Sequence, residues 1–156
     1  CGTGQLAQAL APFVARVIAV DASAAMLRSA GARVEHLANV ETRRGELEAL
    51  PVESGSLDAA FLVLVLPYAA EPGQVIGEAV RALRPGGRLL VTDLAPHERE
   101  DYRQTLGHLW QGFAEDQMLN WLTAAGLRDP RYRACPPEPE ARGPMLFTAA
   151  AVKPAA

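Results

Sequence analysis

The first residues able to do chemistry stand at the start of the chain, in Cys1-Gly2-Thr3-Gly4. Glycines opening a helix let backbone amides approach a ligand closely, so an anionic or carboxylate-bearing cofactor is expected there. Seventeen residues after Gly4, at the end of a short β-branched run, comes Asp21. A carboxylate in that position can accept both hydroxyls of a ribose. Together the two features describe an adenosine site. Gly2-Thr3-Gly4-Gln5-Leu6-Ala7 also satisfies the GxGxxA dinucleotide fingerprint, which is degenerate by itself. The plainer alternative is that the glycines serve a tight turn and Asp21 caps the next helix. A second group, His97, Tyr102 and His108, offers two imidazoles and a phenol that could orient or deprotonate a reacting group. Trp110 and Phe113 interleave with them, so the segment reads as a water-excluding lid, or alternatively as plain packing of a helix by His108, Trp110 and Phe113. Arg99 and Arg103, in the same charged run, read as solvated or ion-paired.

The elements that must position these residues alternate along the chain. Leu6, Leu10 and Phe13 recur at helical spacing from Gln5 to Phe13, and Arg16 to Val20 follows as a buried strand. Ser23 is a good N-cap for a helix running toward His36, and Asn39 leads into a strand near Val40 to Arg43. Leu57 to Leu66 is almost continuously apolar, as for a central parallel strand covered on both faces, and Pro67 closes it. An amphipathic helix spans Glu71 to Leu83. Pro85-Gly86-Gly87 then turns the chain into a strand from Arg88 to Asp93. His97 to Gln104 is highly charged, Gly107 to Phe113 aromatic, and Glu115 to Ala125 helical up to Gly126. Strands at Arg131 to Cys135 and Met145 to Val152, joined by the loop Pro136 to Pro144, form a terminal hairpin. The expected class is α/β: a Rossmann-like, doubly wound, mostly parallel sheet with helices on both faces and a C-terminal antiparallel hairpin.

Composition bounds the function. The 156 residues are 49% hydrophobic and 21% charged, enough for one domain with a core of its own. With 15 basic and 18 acidic side chains the net charge is −3, so no basic field is available to hold nucleic acid directly. Cys1 and Cys135 lie far apart, and His36, His97 and His108 lack structural-zinc spacing, so neither a metal nor a disulfide framework is expected. The longest apolar run, Ala59 to Leu66, falls far short of the roughly 20 residues that span a bilayer. With no signal peptide visible, a cytoplasmic protein is expected.

At this point the chain resembles the class I methyltransferases that use S-adenosylmethionine, and among them the UbiE-like (methyltransferase type 11) branch. Five ordered stretches carry the resemblance: Cys1-Gly2-Thr3-Gly4; Val20-Asp21-Ala22-Ser23 with Met26-Leu27; Gly45-Glu46-Leu47-Glu48-Ala49-Leu50-Pro51; Gly55-Ser56-Leu57-Asp58; and Arg81-Ala82-Leu83-Arg84-Pro85-Gly86-Gly87-Arg88. The resemblance implies that Gly2 and Gly4 approach the methionine part of the cofactor, that Asp21 takes the ribose, and that Ala22 and Met26 flank the adenine. Glu46 stands where relatives usually carry an Asp contacting the adenine amino group, and Leu47 would offer its backbone amide to the ring. Leu62 to Leu64, especially Val63, would line the sulfonium side. A narrower resemblance, carried by His97 to Arg103 and Gly107 to Phe113, is to the methyltransferase module of bacterial fusions with an upstream ArsR-type winged-helix repressor. No winged helix stands in these residues.

Two departures accompany the resemblance. The chain begins inside the first motif, without the family's first glycine and the strand before it, so a fragment with two unpaired strand edges is expected. Pro67-Tyr68 stands where relatives often carry two histidines. The expected function is methyl transfer to a compact, partly apolar small molecule; the alternative is a non-catalytic S-adenosylmethionine sensor serving a transcriptional regulator. An NAD-dependent oxidoreductase would share the glycines and Asp21 but leaves Gly45 to Pro51 and the Pro85-Gly86-Gly87 turn unexplained. The upstream winged-helix domain and a homodimer complete the set of expected partners.

Overall fold

The structure, a computed structural model, describes residues 1–136 and 143–155. It divides into two compact units, Cys1–Pro51 and Val52–Ala156.

The first unit contains α1 (Gln5–Leu10), a 3-10 turn (Ala11–Phe13), β1 (Val17–Asp21), α2 (Ala24–Val34) and β2 (Val40–Arg44). The helix expected through Phe13 stops as an α-helix at Leu10, because Pro12 has no N–H to continue the ladder and favours the tighter turn. The buried positions are Ala7 and Ala11, not the expected stripe: Leu6 is half exposed and Phe13 is 83% exposed. Ser23 caps α2 as expected, its Oγ accepting from Met26 N at 3.3 Å. β1 and β2 run parallel in the register Val17↔Val40 to Asp21↔Arg44. Their small core gathers Ala7, Ala19 and Val34 with the half-buried Val17, Leu37 and Val40. Asn39 closes the connection by donating from Nδ2 to Ala11 O (2.8 Å) and Val14 O (3.0 Å).

The second unit holds β3 (Leu57–Val63), a 3-10 turn (Leu66–Tyr68), α3 (Pro72–Ala82), β4 (Leu83–Leu94), α4 (Asp101–Leu106), α5 (Glu115–Ala124), β5 (Arg128–Ala134) and β6 (Leu146–Val152). The strand order is β3-β4-β6-β5, with β3 parallel to β4 and β6 antiparallel to both β4 and β5. The C-terminal antiparallel pair is therefore present, and the residues expected to join it, 137–142, lie outside those described. Alternation puts Leu89, Val91 and Asp93 of β4 and Phe147, Ala149 and Ala151 of β6 in the interior. Against these strands pack α3, through Val75, Ile76 and Ala79, and α5, through Met118 and Leu122.

Two sequence expectations change here. β3 was expected to be a central strand covered on both faces, yet it is an edge of its sheet, and Phe61 (41%) and Val63 (38%) are exposed while Leu62 is buried. An apolar run measures the hydrophobicity of a strand and not the number of its partners. β4 also begins earlier than Arg88, because Pro85-Gly86-Gly87 is taken into the strand as an irregularity: the register passes from Leu57↔Leu83 to Ala59↔Arg88. Gly86 has φ +77°, and a Cβ on Gly87 would sit 2.9 Å from Arg84 O and 3.1 Å from Leu57 O. Only glycine fits there.

Candidate functional site

Asp21 organises the carboxyl end of the β1–β2 pair. Its Oδ2 accepts from Gly2 N and from the amino nitrogen of Cys1, both at 2.9 Å, and its Oδ1 accepts from Ser23 N at 2.9 Å. Its carbonyl accepts from Gly45 N at 3.2 Å. One residue thus ties together the glycine loop, the entrance of α2 and the segment after β2. Burial pushes the Asp21 carboxyl up, while the hydrogen bonds from the Ser23 and Gly2 amides favour the carboxylate. Asp21 is therefore a carboxylate near neutral pH, with lone-pair capacity left on Oδ1.

The glycines of the loop do different work. Gly4, at φ +81°, faces Ala30 of α2 so closely that a Cβ would lie 3.0 Å from Ala30 Cα. Its conformation is accounted for by helix packing. Gly2, at φ +55°, has nothing within 4 Å of where a Cβ would stand. Its N donates to Asp21 Oδ2, and it lies inside the turn closed by Gly4 N donating to Cys1 O at 3.2 Å. Gly45 is a second forced glycine, since a Cβ there would collide with the Pro51 ring and approach Val20. This pins the segment carrying Glu46 and Leu47, where Glu46 and Ala49 form a lone antiparallel bridge. Glu46 and Ala22 are exposed, Leu47 is half-buried, and Met26 is 42% exposed. Seven of the eight cofactor residues expected from the sequence thus belong to the first unit; Val63, the eighth, ends β3 in the second.

In the second unit the carboxyl ends of β3 and β4 carry the other group. Leu64 follows β3 with φ 52°, a left-handed conformation that is strained for leucine, and donates from N to Thr92 O at 2.9 Å. Asp93, fully buried, accepts from Leu66 N (3.2 Å) and Leu94 N (2.8 Å), so β4 clamps the loop that follows β3. Burial pushes the Asp93 carboxyl up to about 6, against the opposing hydrogen bonds from Leu94, Leu66 and Val65.

Beyond β4 the chain makes an excursion whose base is fixed. His97 N donates to Gln111 O (3.1 Å) and Phe113 N to Leu94 O (2.9 Å). Gly112, at φ +81°, lies against the Ala95 and Leu94 carbonyls so closely that no Cβ could be placed. The excursion bends over the β3 loop, with Leu109 N donating to Pro67 O at 2.7 Å. Between them is a cavity of about 240 Å³. Leu64, Pro67, Leu94 and Leu106 form its apolar walls, and Tyr68, Tyr102 and His108 supply its polar atoms.

The structure separates the expected lid residues into two groups. His97, Tyr102 and His108 come together, with Tyr102 between the imidazoles at ring distances of 5.4 and 5.5 Å. Tyr68 meets His108 edge to face at 4.8 Å. Trp110 and Phe113 instead pack with Trp121, Phe113 is fully buried, and Trp110 Nε1 donates to Ala69 O at 2.9 Å. They are core, as the plainer alternative held for these two. Arg99 is ion-paired with Asp101 at 2.8 Å and lies 4.9 Å over the Tyr102 ring. His97 accepts from Arg99 N through Nδ1 at 3.1 Å, which places the proton of the neutral ring on Nε2. Desolvation first, and Arg99 second, push His97 below its ordinary range; desolvation and then His97 do the same to His108. Both rings are neutral at neutral pH.

Sequence reasoning missed Tyr68 and Asp93. Tyr68 registered only as a departure from relatives and Asp93 only as the acid ending a strand. The one signal available was position: both stand at carboxyl ends of strands, where open α/β sheets bind ligands.

The comparisons with known proteins fit this architecture. The family model described as a methyltransferase domain matches residues 1–91, and the chain belongs to that family, whose cofactor is S-adenosylmethionine. Among curated relatives, an uncharacterized 37.1 kDa protein in transposon TN4556 of Streptomyces fradiae is 46% identical over 88 residues, 56% of this chain and 25% of that protein. The malonyl-[acyl-carrier protein] O-methyltransferase of Yersinia pestis is 33% identical over 111 residues, 71% of this chain and 39% of that protein. The chain thus spans well under half the length of these relatives. The crystal structure of an S-adenosylmethionine-dependent methyltransferase from Mesorhizobium loti covers 98% of the chain with a TM-score of 0.82 at 20% identity, matching 88% of its own length. The fold is the Rossmann-like α/β fold of these enzymes. Among the described residues no helix is long and apolar enough to cross a membrane.

Proposed function

We propose that this chain is the cofactor-binding domain of a methyltransferase that passes the methyl group of S-adenosylmethionine to a small-molecule acceptor. The observation that carries the proposal is the Asp21 hub: a carboxylate with an acceptor site to spare at the carboxyl end of β1, tied to the glycine turn through Gly2 N. Asp21 would take the ribose hydroxyls, Gly2 and Gly4 the methionine part, Ala22, Met26, Glu46 and Leu47 the adenine, and Val63 the sulfonium side. The cofactor supplies an activated methyl, so the protein's work is to hold an acceptor in line and exclude water. The cavity at His108 and Tyr102 is the proposed acceptor site, with His97 beside them.

Finer kinship, to the UbiE-like branch and the modules fused to ArsR-type winged-helix repressors, rests on the sequence motifs alone. It makes an upstream DNA-binding domain, a homodimer and a cytoplasmic location parts of this proposal. Calorimetric titration of the intact protein with S-adenosylmethionine, S-adenosylhomocysteine and NAD tests it. Binding of the first two and not the third is expected. Asp21→Ala, checked by thermal melting for an intact fold, is expected to weaken binding by about 1 to 3 kcal/mol, the worth of a charge-assisted hydrogen bond. Unchanged affinity would remove Asp21 from the site. Binding without turnover on any acceptor would leave the sensor.

A further inference from the structure

Residues 45–51, which follow β2 in the first unit, form a short loop closed at both ends. At its entrance Gly45 N donates to Asp21 O at 3.2 Å, so the loop departs from beside the Asp21 carboxylate. Within it Ala49 N donates to Glu46 O at 3.3 Å, alongside the bridge between the same two residues. At its exit the Pro51 ring occupies the space that a Cβ on Gly45 would need. That contact stops the two ends from approaching further. It does little to stop them separating, because the dispersion attraction of a few atoms is weak.

Arg43 of β2 is what opposes separation. Its Nη1 donates to Pro51 O at 2.5 Å, spanning eight residues of chain. The guanidinium is itself oriented by Glu41, which lies on the same face of β2. Arg43 Nη2 pairs with Glu41 Oε1, and Glu41 Oε2 accepts from Arg16 Nη2 at 2.9 Å. A guanidinium presents its donors in a rigid planar fork, so seating one edge on Glu41 aims the other at the Pro51 carbonyl. Both Arg43 and Glu41 are half-buried, whereas Glu46 is exposed. The place of Glu46 therefore depends on the backbone of its loop and not on packing of its own side chain.

Resting on the cofactor reading above, we infer that Arg43 is a positioning residue for the adenine end of the site. By tying Pro51 to β2 it holds Glu46 where a carboxylate accepts from the purine 6-amino group, and so sets the choice of adenine over a 6-oxo purine. A 6-amino group donates to a carboxylate; a 6-oxo group sets acceptor against acceptor. A loop tied at one end alone spreads Glu46 over many positions, and the discrimination is averaged away. The Asp21 carboxylate has backbone bonds of its own from Gly2 and Ser23, and both kinds of purine nucleoside carry the ribose it would take. It serves as the internal control.

Binding reads this without turnover, by calorimetric titration of the intact protein with S-adenosylhomocysteine and S-inosylhomocysteine, the second having a 6-oxo purine. The unaltered protein is expected to prefer the adenosyl ligand by at least about fivefold, the scale of one hydrogen bond. Arg43→Met keeps the stem and removes the fork, and should bring the two affinities to within about twofold of each other. Arg43→Lys, which offers a compact ammonium in place of the fork, should give an intermediate ratio. Thermal melting checks each variant for an intact fold. A merely structural role predicts a different pattern, in which both affinities fall together and their ratio stays. That pattern, unchanged binding in Arg43→Met, or no preference in an unaltered protein that binds the adenosyl ligand would each overturn the inference and leave the cofactor reading in place. Failure of the unaltered protein to bind the adenosyl ligand would overturn both. If Arg43→Met does not fold, Arg43→Lys decides, and a ratio equal to that of the unaltered protein overturns the inference.

Discussion

The end of the β1–β2 pair and the cavity at His108 are built on opposite plans. Around Asp21 nearly every partner is backbone: Gly2 N, Ser23 N and Gly45 N converge on one residue, and its charge is held by hydrogen bonds. Around His108 the partners are side chains, the walls are largely apolar, and two buried ring nitrogens, His108 Nδ1 and the neighbouring His97 Nε2, have no hydrogen-bond partner among the described residues. A site made from backbone can take the same cofactor with many surrounding sequences. A site made from side chains changes its ligand whenever they change. The contrast agrees with the function proposed above, a transferase with a fixed donor and a variable acceptor.

The largest expected effect lies at the base of the excursion that covers the cavity. Gly112→Ala places a Cβ against the Ala95 and Leu94 backbone carbonyls in a left-handed conformation, with no flexible side chain to yield. A loss of about 3 kcal/mol or more is expected, read as a fall in denaturation midpoint. Gly2→Ala meets no neighbour within 4 Å and should cost only the backbone strain of roughly 1 kcal/mol, while weakening the cofactor. Equal losses of stability from the two would mean that both loops are packing features and the contrast is false.

Next in size is a pH effect confined to the second unit. Asp93 is buried with its carboxyl raised to about 6 from the 3.8 of the free group. The folded state therefore binds more protons than the unfolded state between those values, and stability falls as pH rises from about 4 to about 6. The total contribution is on the order of 3 kcal/mol, taking about 1.4 kcal/mol per unit. Denaturant melts of the unaltered protein and Asp93→Asn across that range should differ in slope in this direction. Parallel curves would show that burial does not hold the Asp93 carboxyl above its ordinary range.

What the sequence made legible follows the same division. The alternation of elements, the cap at Ser23 and the pairing of Gly2 and Gly4 with Asp21 could be read because glycine spacing and strand ends encode backbone geometry locally, whereas Glu46 came from the family resemblance alone. The stripe Leu6, Leu10, Phe13 misled because periodicity counts apolar residues without showing which face has a neighbour; Ala7 and Ala11 are the buried pair. The lid was half legible. His97, Tyr102 and His108 converge as their types suggested, but nothing in their spacing separated them from Trp110 and Phe113, whose partner Trp121 lies on the next helix. Tyr68 meets His108 only because Leu109 N bonds Pro67 O, a pairing between loops that no local pattern announces.

The smallest expected effect sharpens the account of the Asp21 end. Ser23 takes part there twice, by different atoms: its backbone N donates to Asp21 Oδ1, and its Oγ accepts from Met26 N to cap α2. Ser23→Ala removes the second and keeps the first. Loss of an N-cap of this kind costs about 0.5 to 2 kcal/mol, and the 3.3 Å length of this bond places it at the lower end. Thermal melting should therefore record a modest fall, while S-adenosylmethionine affinity stays within about twofold of the unaltered protein, because Asp21 keeps all its donors. A loss of affinity matching that of Asp21→Ala would show that the start of α2, and not the carboxylate, fixes the site. The backbone-built end would then depend on a side chain after all, and the two ends of the comparison would no longer differ in kind.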